Sequence, residues 1–517
     1  MRIATNVSAI VSNNALQKSQ DRLTKSIARL SSGYKINSSS DDAAGYAISE
    51  KMRLQLRGLN QADNNAADGV SVLHTAEGAM EEIQSMLARM KELSVQAANG
   101  TNSVDERSAI QSEIDSLNSE IDRISSNTEF NSQTLISGNL SRRVYSNYEG
   151  VNQIEVSDNF VAGNYGITIT QDARQAIVVG NGAVTMSDTA TVTKEQAGTI
   201  SMNGYGIEIS EGDTLAGIMG KLVDGADKIG GRVFAITAGA TNDTKVNGTD
   251  YAGYEPQTSY AGNNIVFMTK ESGSSKTMNI TCSNAELANM LGIATAATNS
   301  GMYAEGSDVQ AEFTLDNDGK RVGFADSAVI STSGTRVTVK DVNNRTFVTD
   351  VPSNVAGTQV SDTAKADDKS TATSTQTAKV TQEVTDVGTM SVHVGANENQ
   401  VILIDIPAVT SYTLGTENLN VMTSVTASEA IDTIDTAVAY ANRVRSQMGA
   451  YENRFEHTTN NLGTASENLT SAISTMTDTD MAEEMTEYTS LNVMTQAATS
   501  ILAQANERPS TVLQILQ

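Results

Sequence analysis

The chain has 517 residues, enough for several domains, yet it holds no Trp, 8 Phe, 14 Tyr, 4 Pro and a single Cys, Cys282. That composition excludes an intramolecular disulfide framework and a large aromatic-filled core, leaving helices packed through Ala, Leu, Ile and Met as the alternative. A formal net charge of −26 excludes nucleic acid as a natural partner, because phosphate binding needs a basic face, and no stretch approaches the ~20 apolar residues of a membrane span.

The first residues, Met1-Arg2-Ile3-Ala4-Thr5-Asn6, lack an apolar signal-peptide core. A cytoplasmic chain, or one exported by a route that cleaves no signal, is therefore expected. Residues 3–30 carry Ile3, Val7 and Ile10, then Leu16, Leu23, Ile27 and Leu30, an amphipathic pattern. Residues 1–40 hold six basic side chains against Asp21 alone. The stretch from Ile48 to Ala97 alternates spacings of four and three with Ile, Met, Leu or Ala at all its seam positions but Gln55, Gly69 and Ser94. That regularity predicts a coiled-coil helix roughly 75 Å long, with Asp41 or Asp42 capping its start. Asn99-Gly100-Thr101-Asn102 reads as a turn and Ser103 with Glu106 as a capping box. Ile110, Ile114, Leu117, Ile121 and Ile124 then predict a second, antiparallel helix.

From about 140 to 418 the character changes. Tyr165–Thr170, Arg336–Val339 and Val401–Ile404 alternate as strands do, and Thr214–Lys228 reads as one helical interruption. Residues 353–386 are rich in Ser, Thr, Ala, Asp and Lys and read as a loop or outermost surface. Helical periodicity returns with Thr426 and Glu429 as a further expected capping box, followed by Ile431, Ile434, Val438, Met448, Phe455, Leu462, Leu469, Ile473 and Met476. Residues 481–516 carry Met481, Met485, Tyr488, Leu491, Ile501, Leu502, Val512, Leu513 and Leu516. The last forty residues reverse the charge of the first forty, with six acidic side chains against Arg508 alone, so the two ends are suited to associate. Each end alone would be a marginal helix in water.

No constellation for chemistry stands out. His74, His393 and His457 are far apart in sequence and none belongs to a His-Glu-x-x-His helix. There is no phosphate-binding loop, no Gly-x-Ser-x-Gly elbow and no paired-Cys spacing. Asp316-Asn317-Asp318-Gly319 resembles part of a calcium loop but lacks the later acidic ligand, so it reads as a hairpin turn. The expectation is a protein that is not an enzyme, with no cofactor and no metal.

Both helical ends resemble the bacterial flagellin family. The first carries Ile27-Ala28-Arg29-Leu30-Ser31-Ser32-Gly33, Asp41-Asp42-Ala43-Ala44-Gly45, Gln61-Ala62-Asp63-Asn64-Asn65 and Glu92-Leu93-Ser94-Val95-Gln96-Ala97-Ala98-Asn99-Gly100. The second carries Asn453-Arg454-Phe455, Asn460-Asn461-Leu462-Gly463 and Ser500-Ile501-Leu502-Ala503-Gln504-Ala505-Asn506. The resemblance implies a multidomain α plus β protein: a long-helix coiled-coil core formed by N- and C-terminal segments, with β-rich variable outer domains inserted between them. Its implied parts are 1–44 with 477–517 as the innermost coiled coil, 45–176 with 425–476 as the outer helical core, and 177–424 as the outer region, including an insert motif near 199–236.

The implied function is a filament subunit that self-polymerises for swimming motility, with a hook-filament junction protein or a surface adhesin on the same scaffold as the alternative. The implied location is secreted and extracellular, in the flagellar filament, after passage through the flagellar type III export apparatus. Implied partners are further copies of the chain, an export chaperone, the hook-associated and filament cap proteins, and the Toll-like flagellin receptor of animal hosts. For polymerisation and chaperone binding the resemblance points to Ile3, Val7, Ile10, Leu23, Ile27 and Leu30, and to Met485, Tyr488, Leu491, Ile501, Leu502, Leu513 and Leu516. For the receptor it points to Arg89, Leu93 and Glu113, with Arg89 and Leu93 expected to project off the seam.

Overall fold

The computed structural model describes residues 6–157, 160–237, 260–293, 302–316, 318–342, 345–353, 355, 377–385 and 387–515. Most of the 353–386 stretch, together with Ile3 and Leu516, lies outside them. The described helices are α1 (Val7–Ser32), α2 (Ala43–Ala98), α3 (Val104–Asn127), α4 (Leu215–Lys228), α5 (Ala285–Met290), α6 (Ser411–Leu414), α7 (Ser424–Thr477) and α8 (Met481–Ile515). The chain divides into two compact units, one from residues 1–70, 392–402 and 453–517 and one from 71–391 and 403–452. Helices α2 and α7 contribute to both.

Two of the expected caps are present. Asp42 accepts from the amides of Ala44 and Gly45 at 3.0 Å each, and Ser103 and Glu106 form the reciprocal box that starts α3. The third lies three residues upstream of its expected place. Thr423, not Thr426, closes α7, exchanging side-chain and backbone hydrogen bonds with Thr426. Glu429 is thus free for another role, and its side chain faces Lys276 at 3.9 Å.

In the first unit, Gly69 of α2 faces the fully buried ring of Phe455 on α7. The Gly breaks the seam pattern because the aromatic ring takes its space. In the second unit, α2 and α7 run antiparallel, as Gln84 with Asn442 (3.1 Å) and Arg445 with Glu77 (3.2 Å) show. Ala76, Met80, Ile83, Leu87 and Met90 are fully buried. On α3 the seam follows Ile110, Ile114, Asn118, Ile121 and Ser125. Leu117 and Ile124, expected in it, are only half-buried, because two polar side chains serve carbonyls inside the bundle: Asn118 donates to Thr416 (2.7 Å) and Ser125 to Ile136 (3.0 Å). On α7 the seam runs Ala427, Ala430, Ile434, Ala437, Ala441, Val444 and Met448, with Ile431 and Val438 beside it.

The β region of this unit is two nested clusters. The first has a four-stranded sheet in the order 310–313, 163–171, 378–384, 144–146, and another in the order 329–333, 336–340, 346–350, 152–156. Its core includes Ile169, Val337 and Val380. Four of the few aromatics gather here, with ring centroids of Phe160 and Tyr165 5.2 Å apart and those of Phe324 and Phe347 5.5 Å apart. The second cluster is contiguous in sequence: a three-stranded sheet (175–179, 263–272, 231–237), a four-stranded sheet (302–305, 277–282, 198–202, 205–209), α4 and α5. The insert motif near 199–236 is its hairpin, helix and returning strand. Arg174 and Ser307 exchange backbone hydrogen bonds at 2.8 and 3.0 Å and close the base of the cluster. The expected boundary between 176 and 177 therefore cuts the strand Gln175–Val179, and the region 177–424 mixes the rest of that cluster with five of the eight strands of the other. The remaining expected boundaries fall within two residues of helix ends.

Candidate assembly and recognition surfaces

Helices α1 and α8 pair antiparallel within the first unit. Asn6 donates to the Ala505 carbonyl at 2.9 Å, Arg22 bonds Glu487 at 2.8 Å, and Arg29 approaches Glu484 at 3.6 Å. Lys35 reaches the Thr475 carbonyl at 3.0 Å. The opposite charges read in the two ends are thus realised as pairs. Among the least exposed positions of α1 are 9, 12, 16, 19, 23, 26 and 30, and among those of α8 are 484, 488, 491, 495, 498, 502 and 505, with Arg29 and Asn492 beside them. Both sets keep strict four-three spacing. Leu16, Leu23 and Leu30 alternate with Ser12, Ser19 and Ser26 along α1, so large side chains of α8 have small ones to pack over.

The residues expected to serve polymerisation and chaperone binding separate into two faces. Leu23, Leu30, Tyr488, Leu491 and Leu502 lie in the α1–α8 seam. Val7, Ile10, Ile27, Met485 and Ile501 stand outside it, about half exposed, from 48% for Ile27 to 61% for Val7. The five C-terminal residues whose side chains are described, Met485, Tyr488, Leu491, Ile501 and Leu502, do not share one face. Met485 and Ile501 sit roughly a quarter of a turn to either side of the line through Tyr488, Leu491 and Leu502. Leu513 belongs to α8, but its side chain, like all of Leu516, lies outside the described residues. Val11, Val493 and Met494 are exposed apolar residues of the same outer faces that the sequence reading did not single out. Their signal was available: each is apolar and lies off the seam period. Met485, Thr489, Val493 and Met494 line a shallow open groove along α8.

On the second unit, Arg89 bridges two helices. Its guanidinium lies 2.9 Å from Glu113 of α3 and 3.1 Å from Glu92 of its own helix. The hydrogen bonds it donates to Glu113 and then to Glu92 raise the arginine's pKa above its ordinary value. Arg89 and Glu113 are exposed and on one face, as expected. Leu93 is not: it is 2% exposed. Because α2 packs against both α3 and α7, its apolar stripe is wider than a two-position seam. Val72 and Leu93, flanking the seam, are buried with it.

Comparison with known proteins identifies both helical ends. The family model for the bacterial flagellin N-terminal helical region matches residues 3–141, and that for the C-terminal helical region matches residues 431–516. A flagellin of Clostridium tyrobutyricum is 31% identical over 96% of this chain and 98% of its own. A flagellin of Salmonella typhimurium is 30% identical over 100% of this chain and 99% of its own. Among solved structures, a flagellar hook-associated protein-3 from Legionella pneumophila covers 83% of this chain and 98% of its own, at 12% identity and a TM-score of 0.28. No helix among the described residues is long and apolar enough to cross a membrane. With helical ends that pair, a β-rich middle between them and full-length relatives above, this chain belongs to the bacterial flagellins, the family of structural, non-enzymatic subunits of the flagellar filament.

Proposed function

We propose that the chain is secreted and polymerises with copies of itself through the outer faces of α1 and α8. The observation that carries this reading is that both helices bear exposed apolar residues outside the seam that joins them, Val7, Ile10, Val11 and Ile27 on α1 and Met485, Val493, Met494 and Ile501 on α8. Apolar residues clustered on an exposed face mark a surface that binds other chains. On this reading α1 with α8 is the innermost layer, α2, α3 and α7 form the next, and the two β clusters face outward. Before assembly the same faces need cover, which an export chaperone gripping α8 would supply during delivery to the type III apparatus. Gripping Tyr488, Leu491 and Leu502 requires α8 to leave α1, whereas Met485 and Ile501 are open without that step. The hook-associated and cap proteins bound the filament at its two ends.

Polymerisation is tested by electron microscopy of purified protein seeded with filament fragments. Wild type elongates, and Val7→Asp and Ile27→Asp do not, although their monomers keep wild-type helicity. Unimpaired elongation by both variants would refute the assignment of these faces, and short capped stubs from wild type would favour a junction protein. For host recognition the reading rests on Arg89 and Glu113, with buried Leu93 supporting the helix rather than touching the receptor. Monomer affinity for the Toll-like receptor ectodomain should fall for Arg89→Ala. Equal affinities, or none in wild type, would remove this part of the reading.

A further inference from the structure

The structure brings one side chain of α7 beside two of α2 that are distant from it in sequence. His74 and Glu77 are one helical turn apart on α2, and Glu452 faces them from α7. One ligand atom from each lies within 4.8 Å of the other two, with His74 Nε2 3.6 Å from a Glu452 carboxylate oxygen. We infer that His74, Glu77 and Glu452 form a surface site for a first-row divalent transition ion of the zinc type, joining α2 to α7.

The donor chemistry decides the class of ion. Zinc takes imidazole nitrogen and carboxylate oxygen at about 2.0–2.2 Å, so its ligand atoms sit roughly 3–4 Å from one another, within the spread found here. Magnesium and calcium take oxygen donors and gain nothing from the imidazole. Three protein ligands leave an open position for water, as the exposed setting allows: the His74 and Glu452 side chains are 58% and 39% exposed. In the metal-free chain the carboxylates are partly balanced by a cation already in place, since Arg445 lies 3.2 Å from Glu77 and is also bonded to Gln84. A bound ion displaces Arg445 from Glu77 while Gln84 retains it.

The test is calorimetric titration of the monomer with zinc chloride, paired with thermal melts. Wild type should bind one ion with micromolar affinity and melt at higher temperature when loaded. His74→Ala and Glu452→Gln should each weaken binding by about tenfold or more, since even outer partners of metal sites are worth that much. Both residues are substantially exposed, so the variants keep the fold, which circular dichroism verifies. His393→Ala/His457→Ala, which removes the other two histidines, should bind as wild type does. Magnesium chloride in excess should not compete. Absence of binding by wild type, undiminished binding by His74→Ala, or loss of binding in the His393/His457 double variant would each overturn the site.

Discussion

Replacing Gly69 of α2 by Ala opposes two terms of known sign. In an exposed helix interior, Gly→Ala gains about 1 kcal/mol of helix propensity. At Gly69, however, the added methyl would stand 2.9 Å from Cζ of Phe455 and 3.1 Å from its Cε1. The ring is fully buried, so it cannot move aside without displacing its neighbours. Forcing an extra carbon into a packed interior costs about 1–3 kcal/mol. The net expectation is a loss of up to about 2 kcal/mol. Gly463, on α7 of the same unit, is the control, since nothing lies within 4 Å of a methyl placed there. Gly463→Ala should stabilise by up to about 1 kcal/mol. Urea melts of the monomer followed by far-ultraviolet circular dichroism measure both, and Gly69→Ala combined with Phe455→Leu should recover most of the loss. If Gly69→Ala stabilised as much as Gly463→Ala, the ring would not be filling that space and the account of this seam would be wrong.

Ile83→Ala, at a fully buried position of α2, should cost about 2–5 kcal/mol in the same melts. Asn118→Ala removes the side-chain donor to the Thr416 carbonyl, which keeps only the Leu419 amide, and should cost about 0.5–1.5 kcal/mol, more than Ser112→Ala on the exposed face. Glu155 is buried 2.6 Å from Arg443, and burial pushes its carboxyl above the ordinary 4.5 despite that cation. A raised folded-state pKa favours the folded state fully below 4.5, and the contribution is lost as pH rises through the folded value. Stability of wild type relative to Glu155→Gln, measured by urea melts across that range, should therefore fall with rising pH. Deleting residues 175–306 and joining Arg174 to Ser307 by Asn-Gly should leave the first β cluster folded, because those two residues already form a bridge. Joining 176 to 424 instead removes the partners of strands 144–171, and should give a protein that aggregates during size-exclusion chromatography.

The helices were legible because their signal is local. Four-three spacing located α2, α3 and α7 to within a few residues, and Ser103-x-x-Glu106 marked a cap with little ambiguity. Around residue 423 two Thr-x-x pairs overlap; Thr423 is buried and caps the helix, while Thr426 returns the bond and also reaches Asn420, a choice that spacing alone does not make. The Asn118 and Ser125 positions were misread for the same reason, since their partners lie in loops near 416 and 136. Individual strands showed their alternation, but the strand at 163–171 lies between partners at 310–313 and 378–384, and short-range patterns carry no such information. At the candidate surfaces, sequence found the apolar residues of α1 and α8 but not their division into two faces. It placed Leu93 outside a stripe that two neighbours widen, and it could not bring Glu452 to His74.

The nesting of the β clusters has a consequence for the order of folding. Strand 163–171 must meet strand 310–313, and Thr170 bonds Gln310 across 140 positions of chain. Closing that loop from an open chain is costly in entropy. The inner cluster, however, uses only contiguous residues and can fold first, and its own closure sets Arg174 beside Ser307. The outer strands then meet as if joined by a hairpin of about four residues, which lowers the closure cost by roughly 3 kcal/mol on the logarithmic loop law. A chain with the inner cluster destabilised, as by Leu222→Asp in its buried core, should therefore form the outer cluster more slowly, even where every outer contact is intact.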